Sequence, residues 1–250
     1  MLVICNGAIK SGSTWLYNIL RSLRPFEAPR DEYLTLNNLR HPCIRPDRLQ
    51  DFLSRENYAE IDYLSKNHLD RPEQKELLSS REHVYVFDIE RDSRDVVVSH
   101  YYHERFRNGY QGSFADFYWS IGRETISSLS RYHALWRDAG PRSYLSSYEE
   151  LHRDFEFEAR RIAAVLGVTL TADQVQAIRE KTSIGTLRKE YEKEPRFEGD
   201  KFFRKGTVGD WQNHFDAKML ADLDRIERHG IGRFDLPSAR YRLASMWQKR

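Results

Sequence analysis

Cysteine, lysine and long apolar runs are all scarce in this chain, and each shortage narrows what it does. Only two cysteines, Cys5 and Cys43, occur in 250 residues, too few for the disulfide framework of a small secreted domain. Neither stands at ligand spacing from a histidine or from the other cysteine, so no zinc or other metal site is expected. No apolar run reaches the about 18 residues that mark a membrane-spanning helix. Leu2 to Cys5 is too short for the apolar core of a signal peptide, and no basic residue precedes it. The reading is a cytoplasmic protein with no membrane span. An excess of one charge is missing too: 40 basic residues against 38 acidic ones leave a net charge of +2. That gives no field for nucleic acid, and none is expected as a partner. Within the basic set, 10 lysines stand against 30 arginines, which draws the eye to Lys10, Lys66 and Lys205.

One further absence lies inside a motif. Apolar residues 2–5 read as a strand, a loop of small residues follows, and an amphipathic helix starts at once. The loop, Gly7-x-x-x-x-Gly12-Ser13-Thr14, has the spacing of a nucleotide-binding P-loop. The lysine expected after the second glycine is replaced by Ser13, and a lysine stands earlier, at Lys10. Such a loop turns backbone N–H groups inward and presents a helix N-terminus to an anion. Ser11, Ser13 and Thr14 add hydroxyls and Lys10 adds a point charge. Without a Lys-Ser/Thr pair the loop points away from ATP hydrolysis and towards another phosphate-bearing donor. The alternative is an ordinary strand–loop–helix turn.

With 40% hydrophobic content, a chain of this length suits one α/β domain. A helix is expected from Thr14 to Leu23, with Trp15, Leu16, Ile19, Leu20 and Leu23 on one face. Residues 24–80 look irregular apart from a short helix near 47–55, as a substrate-binding insertion does. A buried strand is expected at 83–89, then a helix capped by Asp92. Further helices are expected at 114–138, 149–166, about 171–181 (opened by a Thr171/Gln174 capping box) and 216–229, with a short strand at 143–147. Alternation of this kind implies a mostly parallel sheet with helices on both faces and ligands at the carboxyl ends of its strands.

Two more segments could bind phosphate. Arg91 lies near a strand end and Ser99 two turns into the next helix, and together they suit a second phosphate; pairing of Arg91 with Glu90 or Asp95 is the alternative. Arg204-Lys205-Gly206 is a basic loop, followed by Gly209-Asp210-Trp211 at a turn into the last helix.

Together these segments resemble the cytosolic-type sulfotransferases. Lys10-Ser-Gly-Ser-Thr-Trp15 is similar to their 5′-phosphosulfate loop, Arg91 to Ser99 to their 3′-phosphate motif, and Arg204-Lys-Gly-x-x-Gly-Asp-Trp-x-Asn-His-Phe215 to their third motif. The resemblance implies one sulfotransferase domain over residues 1–250, with the three-layer α/β/α, P-loop NTPase-like fold. It also implies sulfuryl transfer from 3′-phosphoadenosine 5′-phosphosulfate (PAPS) to a hydroxyl or amine of a small-molecule acceptor, with PAP as product and no metal. Carried over by position, Lys10 stabilises the leaving phosphate, Ser11, Gly12, Ser13 and Thr14 cradle it, and Trp15 packs on the adenine. Arg91, Ser99, Arg204, Lys205 and Gly206 hold the 3′-phosphate. Tyr148, Thr182 and Ser183 match adenine contacts, although Ile184 stands where the family has an aromatic. Lys66-Asn67-His68 matches the catalytic segment, with His68 as general base and Lys66 on the sulfuryl oxygens. Asn67 stands there for a threonine, and Ile9 for the proline before the loop lysine. The family's short dimerisation motif is absent, and no oligomeric state is carried over.

A P-loop kinase or NTPase using ATP–Mg²⁺ is the competing reading, and the missing Walker lysine argues against it. A non-catalytic nucleotide-binding protein is a third, opposed by the presence of both Lys10 and His68. Aromatics at Phe26, Tyr33, Phe52, Tyr58 and Tyr63, and between Tyr101 and Trp119, either line an acceptor pocket or form core. Arg24, Arg30, Arg40 and Arg45 either meet an anionic acceptor or form a solvated face.

Overall fold

The computed structural model describes residues 1–35, 41–138, 140–193 and 203–231. Arg40 and Phe202, both part of the sequence reading, lie outside these residues. The described chain forms two compact units. The first contains residues 1–91 and 132–206, the second residues 92–131 and those from 207 on.

The first unit is built on a four-stranded parallel sheet in the order β2-β1-β3-β4. Its strands are β1 (Leu2–Cys5), β2 (Tyr63–Lys66), β3 (Val84–Glu90) and β4 (Ser143–Ser147). Leu2 pairs with both Tyr63 and Val84, and Cys5 with Lys66 and Phe87. All four residues of β1 are fully buried, as a central parallel strand covered on both faces must be. Helix α1 (Ser13–Leu23) buries Leu16, Ile19 and Leu20, which join Ala159, Ile162 and Ala163 of α8 (Phe155–Val165) in one core. A column of rings runs beside it. Tyr17 of α1 stacks on His41 at 4.5 Å, the His41 ring meets the Tyr191 hydroxyl at 2.5 Å, and Tyr191 packs edge-on to Phe203 at 4.8 Å.

Several elements differ from expectation. The insertion contains helices α2 (Leu49–Arg55) and α3 (Pro72–Ser79), and its residues 63–66 form β2. The insertion is therefore partly scaffold. β2 escapes a hydropathy reading because its second half is Ser-Lys, although both residues are buried. The single helix expected at 149–166 is two, α7 (Tyr148–Arg153) and α8. Asp154 breaks the run with φ −143° and caps α8 through the Phe157 N–H at 3.0 Å, the local competition that makes aspartate a capping residue. A helix not expected, α10 (Ile184–Glu192), follows α9 (Ala172–Lys181), whose Thr171/Gln174 capping box is present.

The second unit contains α4 (Ser93–Arg107), α5 (Phe114–Phe117), the start of α6 (Arg123–Trp136) and α11 (Ala217–His229). The helix expected at 114–138 is interrupted by a π-turn at Tyr118–Gly122. Here Tyr118 is buried, with its hydroxyl on the Met219 carbonyl at 2.9 Å and on Asp222 at 3.0 Å. Asp92 caps α4 as expected, accepting from the Arg94 N–H at 2.9 Å. No described helix is long and apolar enough to cross a membrane.

Candidate functional site

Each strand of the parallel sheet delivers one expected site residue at its carboxyl end. β1 runs into the Lys10 loop, β2 ends at Lys66 just before His68, β3 ends just before Arg91, and β4 just before Tyr148. These ends lie along one edge of the sheet, where open α/β sheets bind ligands.

The first loop is braced from within. Ser11 is fully buried, and its N–H and hydroxyl both donate to the Ala8 carbonyl, at 3.2 and 2.6 Å. Its hydroxyl proton, expected on a phosphate, is instead engaged inside the loop. Lys10 and Gly12 both adopt left-handed backbone, with φ of 68° and 106°. Gly12 is needed there: a Cβ would stand 2.5 Å from the Tyr148 ring. Ser13 and Thr14 open α1, so their N–H groups belong to the first turn, which an α-helix leaves without intrahelical acceptors. Ile9, in the proline position, is 36% exposed.

Tyr148 is the hub of the next layer. The Arg91 guanidinium lies 4.1 Å from its ring centroid, a cation–π distance, and Arg91 also donates to the Lys10 carbonyl at 3.4 Å. Trp15 packs edge-on to Tyr148 at 5.4 Å and stacks near Phe155 at 6.2 Å, while its indole N–H points to the Thr182 hydroxyl at 3.4 Å. Thr182 is buried and donates to the Ile178 carbonyl at 2.8 Å. Ser183 caps α10, accepting from the Thr186 N–H at 3.2 Å. Both hydroxyls, expected near the adenine, thus also hold their own helix ends.

His68 stands beside the loop. Its Nδ1 lies 2.5 Å from the Gly7 carbonyl and its Nε2 3.4 Å from the Lys66 ammonium. A carbonyl only accepts, so Nδ1 carries the proton and Nε2 the lone pair. The His68 pKa is pushed down to about 3, by desolvation first and by the Lys66 charge second. The side chain is nonetheless exposed to solvent. Water reaching the ring softens the desolvation, and the cation at 3.4 Å holds the downward direction. Lys66 is buried, which lowers its pKa as well. The backbone around this pair is held by Asn6, whose Oδ1 accepts the Leu69 N–H at 2.9 Å, and by Trp136, whose indole N–H donates to the Leu69 carbonyl at 2.7 Å.

Asp88, inside β3, was not singled out by the sequence reading. It is 4% exposed and accepts from its neighbour's N–H at 2.7 Å and from the Tyr132 hydroxyl at 3.3 Å. Burial raises its pKa to about 7. The signal was present: one acid within the apolar run Val84–Ile89.

The basic loop is divided between the units. Arg204, Lys205 and Gly206 belong to the first. The Gly209-Asp210-Trp211 turn belongs to the second, where the Asp95 carboxylate accepts the Gly209 and Trp211 N–H groups at 2.7 and 2.9 Å. Ser99, on α4, is half-buried in the second unit. Most of the aromatics considered for an acceptor are core. Tyr33 and Tyr63 each pack edge-on to Phe52 at 5.3 Å, and Tyr101, Phe114, Phe117 and Tyr118 form the core of the second unit. The arginines considered for an anionic acceptor pair instead with carboxylates: Arg24 with Asp62, Arg30 with Glu56 and Arg45 with Asp47.

Comparison with known proteins agrees with this arrangement. Sulfotransferase 6B1 of Danio rerio is 28% identical over 145 residues, 54% of this chain and 48% of that protein. Sulfotransferase 2A6 of Rattus norvegicus is 26% identical over 255 aligned positions, covering 90% of this chain and 82% of the relative. Mouse sulfotransferase SULT7A1, solved in complex with PAP, superposes with a TM-score of 0.65 at 19% identity, over 99% of this chain and 84% of its own. A retinol dehydratase complexed with androsterone and PAP superposes with a TM-score of 0.63 at 19% identity, over 95% of this chain and 82% of its own. The structural likenesses establish the three-layer α/β/α sulfotransferase fold. With the sulfotransferase-domain family model matching residues 2–235, the chain belongs to the sulfotransferase family, the PAPS-dependent transferases.

Proposed function

We propose that this chain transfers the sulfuryl group of PAPS to a hydroxyl, or an amine, of a small-molecule acceptor by in-line displacement, with residues 1–250 acting as one domain. The observation that carries this reading is the row of strand ends bearing the Lys10 loop, Lys66–His68, Arg91 and Tyr148. His68 Nε2 takes the acceptor's proton as the acceptor oxygen bonds to sulfur. The bond from sulfur to the 5′-phosphate oxygen breaks, and PAP leaves with that electron pair. Lys10 and the first turn of α1 stabilise the charge that gathers on the leaving phosphate. Lys66 turns from Nε2 to the sulfuryl oxygens, which frees the lone pair and removes the cation that suppresses it. The donor's negative charge then raises the basicity of His68 at the moment a base is needed.

The remaining roles follow the family pattern. Ser13, Thr14 and Gly12 cradle the 5′-phosphate, with Ser11 bracing them. Trp15, Tyr148, Thr182 and Ser183 border the adenine. Arg91, Ser99, Arg204, Lys205 and Gly206 are assigned to the 3′-phosphate. The acceptor is a small molecule bearing a hydroxyl or an amine, and the structural neighbours are complexed with small molecules, retinol and androsterone. A cytoplasmic setting accords with the name of the Arabidopsis thaliana relative, cytosolic sulfotransferase 1.

Calorimetric titration with PAP and, separately, with ATP–Mg²⁺ tests the donor. PAP is expected to bind and ATP–Mg²⁺ to bind far more weakly; the reverse order favours the kinase reading. With ³⁵S-labelled donor and a panel of acceptors, His68→Ala should lower turnover by roughly 10²- to 10⁴-fold with PAP affinity unchanged. Full activity in that variant removes His68 as the base.

A further inference from the structure

We infer that α10 is the seat of the basic loop, and that Arg188 sets selectivity for a 3′-phosphate by aiming the backbone amides of Arg204 and Lys205. This rests on the assignment of that loop to the 3′-phosphate. The sequence motif draws attention to the side chains of Arg204 and Lys205; the geometry adds their main chain.

One guanidinium nitrogen of Arg188 donates to two successive carbonyls, those of Phe203 at 2.9 Å and Arg204 at 2.6 Å. A peptide unit is planar and trans, so its C=O and the N–H that follows point in opposite directions. Drawing the 203 and 204 carbonyls towards α10 therefore turns the N–H groups of Arg204 and Lys205 away from it. Two consecutive amides facing one way are the core of an anion-binding nest. The next residue, Gly206, has φ of 64°, and a Cβ there would stand 2.2 Å from Ile184 Cδ1. Ile184 thus fills the inner side of the turn. The departure from the family's aromatic supplies the packing that holds Gly206.

The contacts come from one face of the helix. Ile184, Arg188 and Tyr191 are spaced four and three residues apart, so they share a side. They touch Gly206, the 203–204 carbonyls and the Phe203 ring respectively. Through these two bonds to backbone oxygen Arg188 acts as a positioning residue.

The test compares two probes that differ by one group: PAP, and adenosine 5′-monophosphate, which lacks the 3′-phosphate. Both are titrated calorimetrically into the full chain. The native protein should prefer PAP strongly. Arg188→Ala should lower that preference about tenfold, the scale of a lost charge-assisted hydrogen bond, with affinity for the monophosphate within about twofold of native. Arg188→Lys keeps the charge, but its ammonium stops one atom short of the nitrogen that reaches both carbonyls, and it should lose preference as well. Three outcomes overturn the inference: Arg188→Ala keeps the full preference, it weakens both probes equally, or Arg188→Lys restores it. If the native protein does not prefer PAP, the 3′-phosphate assignment itself falls, a result distinct from those three.

Discussion

The loop at residues 6–12 and the loop at residues 203–206 are both proposed to meet a phosphate, yet they are held differently. The first closes on itself, Ser11 on Ala8 three residues back with two left-handed residues at the turn, and is braced by neighbours as well, Arg91 on the Lys10 carbonyl and His68 on the Gly7 carbonyl. The second is gripped by an arginine 15 and 16 residues earlier in the chain. A loop that closes on itself keeps part of its shape when one neighbour is lost. A loop fixed by a distant helix keeps its shape only while that helix is in place, and the effects of substitution should differ accordingly.

The largest effect should come from Lys10→Ala, which removes charge from the first loop but leaves its backbone intact. Turnover should fall roughly 10²- to 10³-fold, while PAP affinity changes much less; equal losses in both would mean that the side chain also shapes the loop. Gly12→Ala attacks the shape instead. With φ at 106° and Tyr148 2.5 Å from the new methyl, it should destabilise the fold by roughly 3 kcal/mol and weaken PAP binding. A thermal melt like that of the native protein would show that the loop yields to the new methyl. Arg188→Ala should leave stability nearly unchanged and act on donor selectivity alone.

The smallest effect concerns the strand beside the first loop and depends on pH. Burial raises the Asp88 pKa from an ordinary 3.8 to about 7. A raised carboxyl pKa means that the folded state resists ionisation, so its contribution is complete below about pH 4 and is lost as pH rises through 7. Asp88→Asn keeps both acceptor contacts at Oδ1 and removes the charge. It should melt like the native protein at pH 4 and be more stable by roughly 1–3 kcal/mol at pH 8. Parallel melting curves at both pH values would place the charge of Asp88 in a solvated setting.

Much of this was legible in the sequence where structure is local. The Lys10 loop, the Asp92 cap and the Thr171/Gln174 box depend on neighbours within four residues, and each is where its pattern places it. β2 was not legible, because Ser65 and Lys66 look like surface residues and are buried with polar partners: Ser65 accepts the Ile44 N–H, and the Lys66 ammonium meets His68 Nε2. α10 carried a signal that was read otherwise. Ser183 followed by Ile184, Leu187 and Tyr191 is a cap and an apolar face, but Thr182-Ser183 also matches a ligand motif, and the two patterns compete for the same serine. Arg188 had no local signature, since its partners lie across a separate segment of chain.

The column Tyr17–His41–Tyr191–Phe203 joins the helix that opens at the first loop to the residue that begins the second. Three of its four rings are almost fully buried, and buried rings in contact neither compress nor drift apart at small energy. In effect the column is a caliper set at one opening: it fixes the span between the helix that leaves the first loop and the residue that begins the second.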